Sequence, residues 1–163
     1  GIPVVEVKSI AGHLKRKKIK HIFLAVGDNE KRKNLYNELK DEYNFINCIH
    51  PNAKIESNSS VGRGVFIGSG AIIGAEVEIS DNVIINNGVI ISHETKIGAN
   101  SHLGPGVNIA GRVSIGDDTF IGIGSSIIDD LNIGDNVVIG AGSVVIDNIE
   151  DNVKVVGTPA KKI

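Results

Sequence analysis

An aliphatic residue recurs at every sixth position from Ile49 to Val145, and this spacing restricts the fold more than any other feature of the chain. All seventeen positions of the series are Ile, Leu or Val, and nine of them are followed by glycine. A period of six does not produce the apolar stripe of an α-helix, which repeats about every 3.6 residues. Because side chains alternate along a strand, positions one and five of each unit can face an interior while positions two and six face outward.

Positions three and four of each six-residue unit are left as corners. Three units then close a triangular coil of 18 residues, and coils stacked about 4.8 Å apart pair their backbone groups with the coils above and below. The span 49–145 is long enough for about five such coils. We therefore predict a mainly β fold, a parallel β-helix of 18-residue triangular coils.

Residues 1–46 follow a different pattern. They carry ten Lys or Arg and six Asp or Glu, whereas residues 47–163 carry seven and thirteen. Apolar runs and helical periodicity predict strand, helix, strand, helix and strand at 3–7, 9–18, 21–27, 28–43 and 45–50. This order is typical of a small partial α/β, Rossmann-like unit. We predict two domains, 1–46 and 47–163.

The segment Gly27, Asp28, Asn29 comes at the carboxyl end of the second predicted strand. Ligands of α/β units bind beyond the carboxyl ends of the strands, and a glycine there lets a ligand approach the backbone. The segment is a candidate ligand edge. The alternative is an ordinary N-cap on a surface helix.

The single cysteine, Cys48, excludes an internal disulfide framework and fits a reducing compartment, so we expect a buried thiol and a cytoplasmic protein. No apolar run approaches the roughly 20 residues that span a bilayer, and no secretory signal pattern is present. The basic run at 14–20 lacks interleaved aromatics, which argues against nucleic-acid binding.

The glycine that follows the aliphatic position is replaced in three successive units, by Ser80, Asn86 and Ser92. The corner residues His93 and Glu94 come next. A histidine can accept a proton near neutral pH, and an adjacent carboxylate favours that role. The pair is a candidate general base, and the alternative is two solvated corner residues.

His102 faces outward from a flat side, nine residues or half a coil beyond His93. We expect the two histidines to lie on opposite sides of the coil, and Asn86 to share the face of His102. His93 and His102 then cannot act on one substrate within a single chain. If they cooperate, the site lies between neighbouring subunits.

The runs "IGSGAIIGAEVEI", "IGDDTFIGIGSSI" and "IGAGSVVIDNI" resemble the hexapeptide-repeat acyltransferases. With "AVGDNEKRK" and the junction "CIHPNA" before the coils, the whole chain resembles the sialic acid O-acetyltransferase family, including its nucleotide-amino-sugar N-acetyltransferases. The resemblance implies a left-handed β-helix, a homotrimer with intersubunit active sites, and acetyl-CoA as co-substrate. The family's opening glycine- and histidine-containing element does not precede Gly1, so we expect 1–46 to be the back half of a nucleotide-binding unit.

The resemblance also implies roles for individual residues. It makes His93 the catalytic base and Glu94 the residue that raises its basicity, and it matches Asn86 to a polar active-site residue. It assigns acetyl-CoA contacts to His102, Ile123 and Ala141, and a sugar-nucleotide contact to Gly27.

The expected activity is acetyl transfer from acetyl-CoA to an amine of a nucleotide-linked amino sugar, of the UDP-4-amino-sugar type, in bacterial glycan biosynthesis. We expect the amine to attack the thioester directly, without an acyl-enzyme, because no serine or cysteine is paired with a base. The alternatives are acetylation of a sialic acid hydroxyl and a non-catalytic trimeric scaffold. A zinc-dependent carbonic anhydrase would need about three converging imidazoles, and the coils offer two, so no metal is expected.

Overall fold

A computed structural model of the chain describes residues 10–163. Its first part is a small α/β unit of four elements: α1 (Ile10–Arg16), β1 (His21–Ile22), α2 (Asn29–Leu39) and β2 (Asn44–Phe45). The two strands pair in parallel, with His21 opposite Asn44. The strand expected at 3–7 lies outside the described residues. No helix within 10–163 is long and apolar enough to cross a membrane.

The α/β unit is less regular than its sequence indicates. The strand expected at 21–27 has two residues, and the strand expected at 45–50 is divided, because the chain leaves the small sheet after Phe45. Asn47 explains the division. Its side-chain amide donates to the carbonyl of Gly62 at 2.8 Å, and its oxygen accepts from the amide of Val65 at 3.0 Å, which ties the chain to the next coil.

The second part is a stack of triangular coils with seventeen two-residue strands. These strands are β3 (Cys48–Ile49), β4 (Lys54–Ile55), β5 (Ser60–Val61), β6 (Phe66–Ile67), β7 (Ile72–Ile73), β8 (Glu78–Ile79), β9 (Ile84–Ile85), β10 (Ile90–Ile91), β11 (Lys96–Ile97), β12 (His102–Leu103), β13 (Asn108–Ile109), β14 (Ser114–Ile115), β15 (Phe120–Ile121), β16 (Ser126–Ile127), β17 (Asn132–Ile133), β18 (Val138–Ile139) and β19 (Val144–Val145). Each strand ends on one of the seventeen aliphatic positions, so the predicted repeat is confirmed.

Every third strand stacks into one of three parallel sheets. The six-stranded sheet runs β4, β7, β10, β13, β16, β19, the five-stranded sheet runs β5, β8, β11, β14, β17, and the third begins with β3, β6, β9, β12, β15 and β18. This third, eight-stranded sheet ends with β20 (Lys154–Val156) and the antiparallel β21 (Lys161–Lys162). In register, Ile91 lies opposite Ile73 and Ile109, 18 residues away on either side.

The aliphatic column fills the interior of the coils. Ile67 and all later members are buried, and fifth-position residues such as Val65 are buried beside them. Ile49 and Ile55 are exposed, because they belong to the first coil and no coil covers them from below. Cys48 is also exposed, so the expected buried thiol was wrong. Its strand position points outward, as the alternation of the repeat requires.

The outward faces of the three sheets differ in chemistry. The eight-stranded sheet is contacted by the α/β unit, for example where the rings of Phe23 and Phe66 lie 6.5 Å apart. The five-stranded sheet carries an exposed ion pair between Glu78 and Lys96. The six-stranded sheet and the residues that directly follow its strands carry four isoleucines that are 40 to 42% exposed. Ile72 and Ile90 lie on β7 and β10, Ile128 and Ile146 follow β16 and β19, and we call this surface the isoleucine face.

Candidate active site

His93 and Glu94 form the turn between β10 and β11, at the corner where the six- and five-stranded sheets meet. Glu94 has a left-handed backbone (φ 57°), and its carboxylate lies 2.9 Å from Nδ1 of His93. Both side chains are about half exposed. A carboxylate can only accept, so Nδ1 carries the hydrogen and Nε2 keeps a free lone pair. The pair is therefore arranged as a proton acceptor that faces solvent.

The ring of His93 lies against Gly111, the corner residue one coil further on. A Cβ atom at position 111 would lie 2.7 Å from Cε1 and 2.8 Å from Nε2 of the ring. Gly111 was not singled out in the sequence, although adding 18 to 93 identifies it. Its lack of a side chain is what leaves room for the imidazole.

Charged residues continue the corner beyond Glu94. Arg112 binds Asp130 through two hydrogen bonds of 2.6 and 2.7 Å, which join adjacent coils. These bonds hold the pKa of the Asp130 carboxyl below its usual range. The guanidinium is thus paired with the neighbouring coil, and Glu94 is hydrogen-bonded to His93.

His102 lies on β12, on the outward side of the eight-stranded sheet. Its Nδ1 is 3.3 Å from the carbonyl oxygen of Gly27, and its ring meets Phe120 edge-on with centroids 5.2 Å apart. Burial, and next the nearby cation of Arg32, lower the pKa of His102. The α/β unit and the coil thus meet at a neutral histidine.

An open cleft of about 970 Å³ borders this contact. One wall is the start of α2 with Gly27, Asp28 and Asn29, and the other includes Phe120 and Val138 of the coil. Asp28 is the N-cap of α2 and accepts from the amide of Lys31 at 2.8 Å, so the capping interpretation of this segment is correct. The segment nevertheless lines a cleft, as the ligand-edge interpretation predicts.

Ile123 and Ala141 lie 18 residues apart on the corner between the eight- and six-stranded sheets, which we call the Ile123 edge. Both are exposed and border glycines of neighbouring coils: a Cβ at Gly104 would lie 2.8 Å from the amide nitrogen of Ile123, and one at Gly122 would lie 2.5 Å from that of Ala141. Asn86 belongs to the same edge, where its side-chain oxygen accepts from the amide of Asn87.

The structure therefore divides the predicted site residues among three places. Gly27 contacts His102; Ile123, Ala141 and Asn86 share one edge; and His93 with Glu94 occupies the next edge, across the isoleucine face. Within 10–163, no group of three or more His, Cys, Asp or Glu side chains is placed to hold a metal ion.

Models of two hexapeptide-repeat families match the coils. The bacterial transferase hexapeptide model, described as six repeats, matches residues 76–111 and 112–147, and the hexapeptide repeat of succinyl-transferase matches 53–93. The comparison with curated protein sequences gave no match. The matches define the class as a hexapeptide-repeat transferase.

Solved structures narrow the class to a family. PerB from Caulobacter crescentus, crystallised with CoA and GDP-perosamine, is 36% identical with a TM-score of 0.96, over 100% of this chain and 79% of that one. A histidine-to-asparagine variant of perosamine N-acetyltransferase from the same organism is 35% identical with a TM-score of 0.96, over 100% of this chain and 78% of that one. The acetyltransferase domain of PglB from Neisseria gonorrhoeae, in complex with acetyl coenzyme A, is 29% identical with a TM-score of 0.86, over 88% of this chain and 70% of that one.

The chain belongs to the hexapeptide-repeat acyltransferase family that contains the nucleotide-amino-sugar N-acetyltransferases. Its coils are those of a left-handed parallel β-helix.

Proposed function

We propose that this protein transfers the acetyl group of acetyl-CoA to the amino group of a nucleotide-linked amino sugar. The observation that carries the proposal is the His93–Glu94 pair, held with Nε2 free on an exposed edge, in a chain 36% identical to a protein crystallised with CoA and GDP-perosamine. The transfer needs a proton acceptor beside an incoming amine, and this pair supplies one.

In this mechanism His93 is the general base. Its Nε2 takes a proton from the sugar amine as the nitrogen attacks the thioester carbon, and the new C–N bond replaces the C–S bond. Glu94 holds the Nδ1 hydrogen and stabilises the imidazolium that forms. The imidazolium then returns the proton to the departing thiolate, which leaves an N-acetyl sugar and free CoA.

We place acetyl-CoA along the Ile123 edge and the nucleotide sugar beside the cleft at Gly27. The Ile123 edge is exposed and built on glycine-backed turns, so a flexible thioester arm can lie against the backbone. The cleft adds a helix N-terminus with polar residues on one wall and Phe120 and Val138 on the other. The matched proteins were crystallised with CoA, acetyl-CoA or GDP-perosamine, which supports the choice of these two ligands. Asn86, on the Ile123 edge, is proposed as a polar contact.

We further propose a homotrimer in which the isoleucine faces of three copies pack together. His93 and the Ile123 edge border this face on opposite sides, so packing it against a second copy sets the His93 edge of one protomer beside the Ile123 edge of the next. The four exposed isoleucines support this choice, because the other two sheets are polar or contacted by the α/β unit.

The division into an acceptor-binding module (1–46) and an acetyltransferase domain (47–163) is also proposed, as is a cytoplasmic location. The free thiol of Cys48 is compatible with a reducing compartment.

The test is a CoA-release assay with acetyl-CoA and GDP-perosamine, followed by UDP- and dTDP-linked 4-amino sugars. We expect release with one of them, an N-acetyl product by mass spectrometry, and a loss of roughly 100-fold or more in kcat for His93→Ala. Acetylation of sialic acid alone would support the O-acetyltransferase alternative. No release with any acceptor would support the scaffold alternative.

A further inference from the structure

Arg32 is a charged residue that is almost completely buried, with 1% of its surface exposed. It lies on α2, and its guanidinium is enclosed between that helix, the loop before it, and the coil. All five of its N–H groups donate. The acceptors are the carbonyls of Asn82 (3.1 Å), Asn100 (2.6 Å), Val26 (3.1 Å) and Gly27 (3.4 Å) and the side-chain oxygen of Asn29 (2.9 Å).

Every one of these acceptors is neutral. Burying a cation without a carboxylate in contact costs free energy, so such a residue is a poor source of stability. Burial lowers the pKa of Arg32 to about 10, so the guanidinium stays charged at neutral pH. Its planar fork of donors is suited to holding several carbonyls in fixed directions. We conclude that its contribution is geometric.

One of the carbonyls that Arg32 binds, that of Gly27, also contacts His102. The carbonyl of Gly27 accepts from Arg32 and also faces Nδ1 of His102 at 3.3 Å. Since a carbonyl only accepts, Nδ1 must carry the hydrogen, and Nε2 of the neutral ring is left as an acceptor. Within 10–163, Nε2 has no hydrogen-bond partner. The coil backbone, Arg32, Gly27 and His102 form one chain of contacts.

We propose that Arg32 is a positioning residue: it holds the Gly27 carbonyl against His102, which keeps His102 in the Nδ1–H form with Nε2 free for a ligand. The identity of that ligand rests on the proposed function, whereas the tautomer does not. Arg32 thus acts on the site through Gly27 and His102, without direct contact to either substrate.

The first test measures the tautomer in the ligand-free protein by long-range ¹H–¹⁵N correlation of the imidazoles near pH 8, with the His102 signals assigned by their loss in His102→Gln. We expect a protonated-type Nδ1 and an unprotonated-type Nε2. In Arg32→Gln both nitrogens should move toward averaged shifts, because the loop is released. A wild-type protein with the hydrogen on Nε2 overturns the proposal without any variant.

Tyr36→Phe is the matched control. Tyr36 lies one turn further along α2, and its hydroxyl donates to Asp81 of the coil at 2.5 Å. This substitution loosens the same helix–coil contact without touching Gly27 or His102, so the tautomer should stay as in wild type. If Tyr36→Phe and Arg32→Gln shift the tautomer equally, the effect is general loosening and the proposal fails.

The second test is kinetic. In Arg32→Gln we expect the KM values of the nucleotide sugar and of acetyl-CoA to rise about tenfold or more, with a smaller change in kcat. A change of about tenfold corresponds to the loss of one charge-assisted hydrogen bond. Arg32→Lys should recover part of this loss. If wild type acetylates no nucleotide sugar, the proposed function fails, and the tautomer measurement still decides the role of Arg32. Unchanged KM values in an active Arg32→Gln enzyme would contradict the proposal.

Discussion

The imidazole of His93 and the backbone of Gly111 are in direct contact across adjacent coils, with no room between them for even a methyl group. The backbone of Gly111 is not left-handed, so the glycine is not required by the turn. It is required by the ring. The position of the proposed base therefore depends on a residue 18 positions further along the chain.

Gly111→Ala should slow catalysis without unfolding the protein. The new methyl group would have to push the ring away, and because the ring is exposed it can move at little cost in stability. We expect kcat to fall roughly 10- to 100-fold, since displacement of a catalytic group by about 1 Å can cost this much, with the thermal midpoint nearly unchanged.

A double variant provides the control for Gly111. If Gly111 acts only through His93, adding Gly111→Ala to His93→Ala should cost no further activity. A further loss of several-fold in the double variant would mean that Gly111 has a separate role.

Ile90→Lys should convert the proposed homotrimer into a monomer. Ile90 lies on the isoleucine face, and packing this face against another copy would desolvate the new charge at a cost of several kcal/mol. Sedimentation velocity would report the change in mass. Ser114→Lys places the same charge on the five-stranded sheet and should leave the proposed homotrimer intact. Equal sedimentation of Ile90→Lys and wild type would exclude the isoleucine face as the interface.

Two inactive variants should restore activity when they assemble together. His93→Ala removes the base and Ala141→Glu blocks the Ile123 edge, so neither homotrimer is active. When the two variants are co-refolded in equal amounts, about a quarter of all sites combine an intact His93 with an intact Ile123 edge from the next subunit. CoA release measured before and after co-refolding would show the recovery. Activity that stays at the level of the separate variants would place the site within one protomer.

His102 should make the protein less stable in mild acid. Its pKa is lowered in the folded state from the ordinary value of 6.5, mainly by burial and next by Arg32. Above pH 6.5 it is neutral whether folded or unfolded and adds no pH dependence. Below that pH the unfolded chain binds a proton that the folded chain resists, so the free energy of unfolding falls until the folded pKa is reached.

Urea unfolding of wild type and His102→Gln at pH 7.5 and 5.5, at one protein concentration, measures this contribution. The wild type should lose more stability between the two pH values than the variant does. The remaining histidines are common to both proteins and cancel in the difference. An identical loss in both would show that His102 titrates normally.

The placement of coil residues was predictable because the repeat converts sequence separation into distance. Residues 18 apart are neighbours, and residues nine apart face opposite sides. This rule correctly separated His93 from His102. It predicted that Asn86 shares the face of His102, whereas Asn86 follows β9 and lies at the Ile123 edge. It also identifies Gly111 once the arithmetic is applied. It failed for Ile49 and Ile55, which the repeat predicts to be buried and which are exposed, because no coil covers the first end of the aliphatic column.

The sequence by itself determined the coils, their edges and the residues on each edge, because stacked parallel strands with one aliphatic column admit a single register. Only the tertiary structure decided how the α/β unit sits on the coil. No repeat relates Arg32 to Asn82, or Gly27 to His102. Their contacts depend on how one surface packs on another, and an arginine within a charged helix gives no sign that it will be buried.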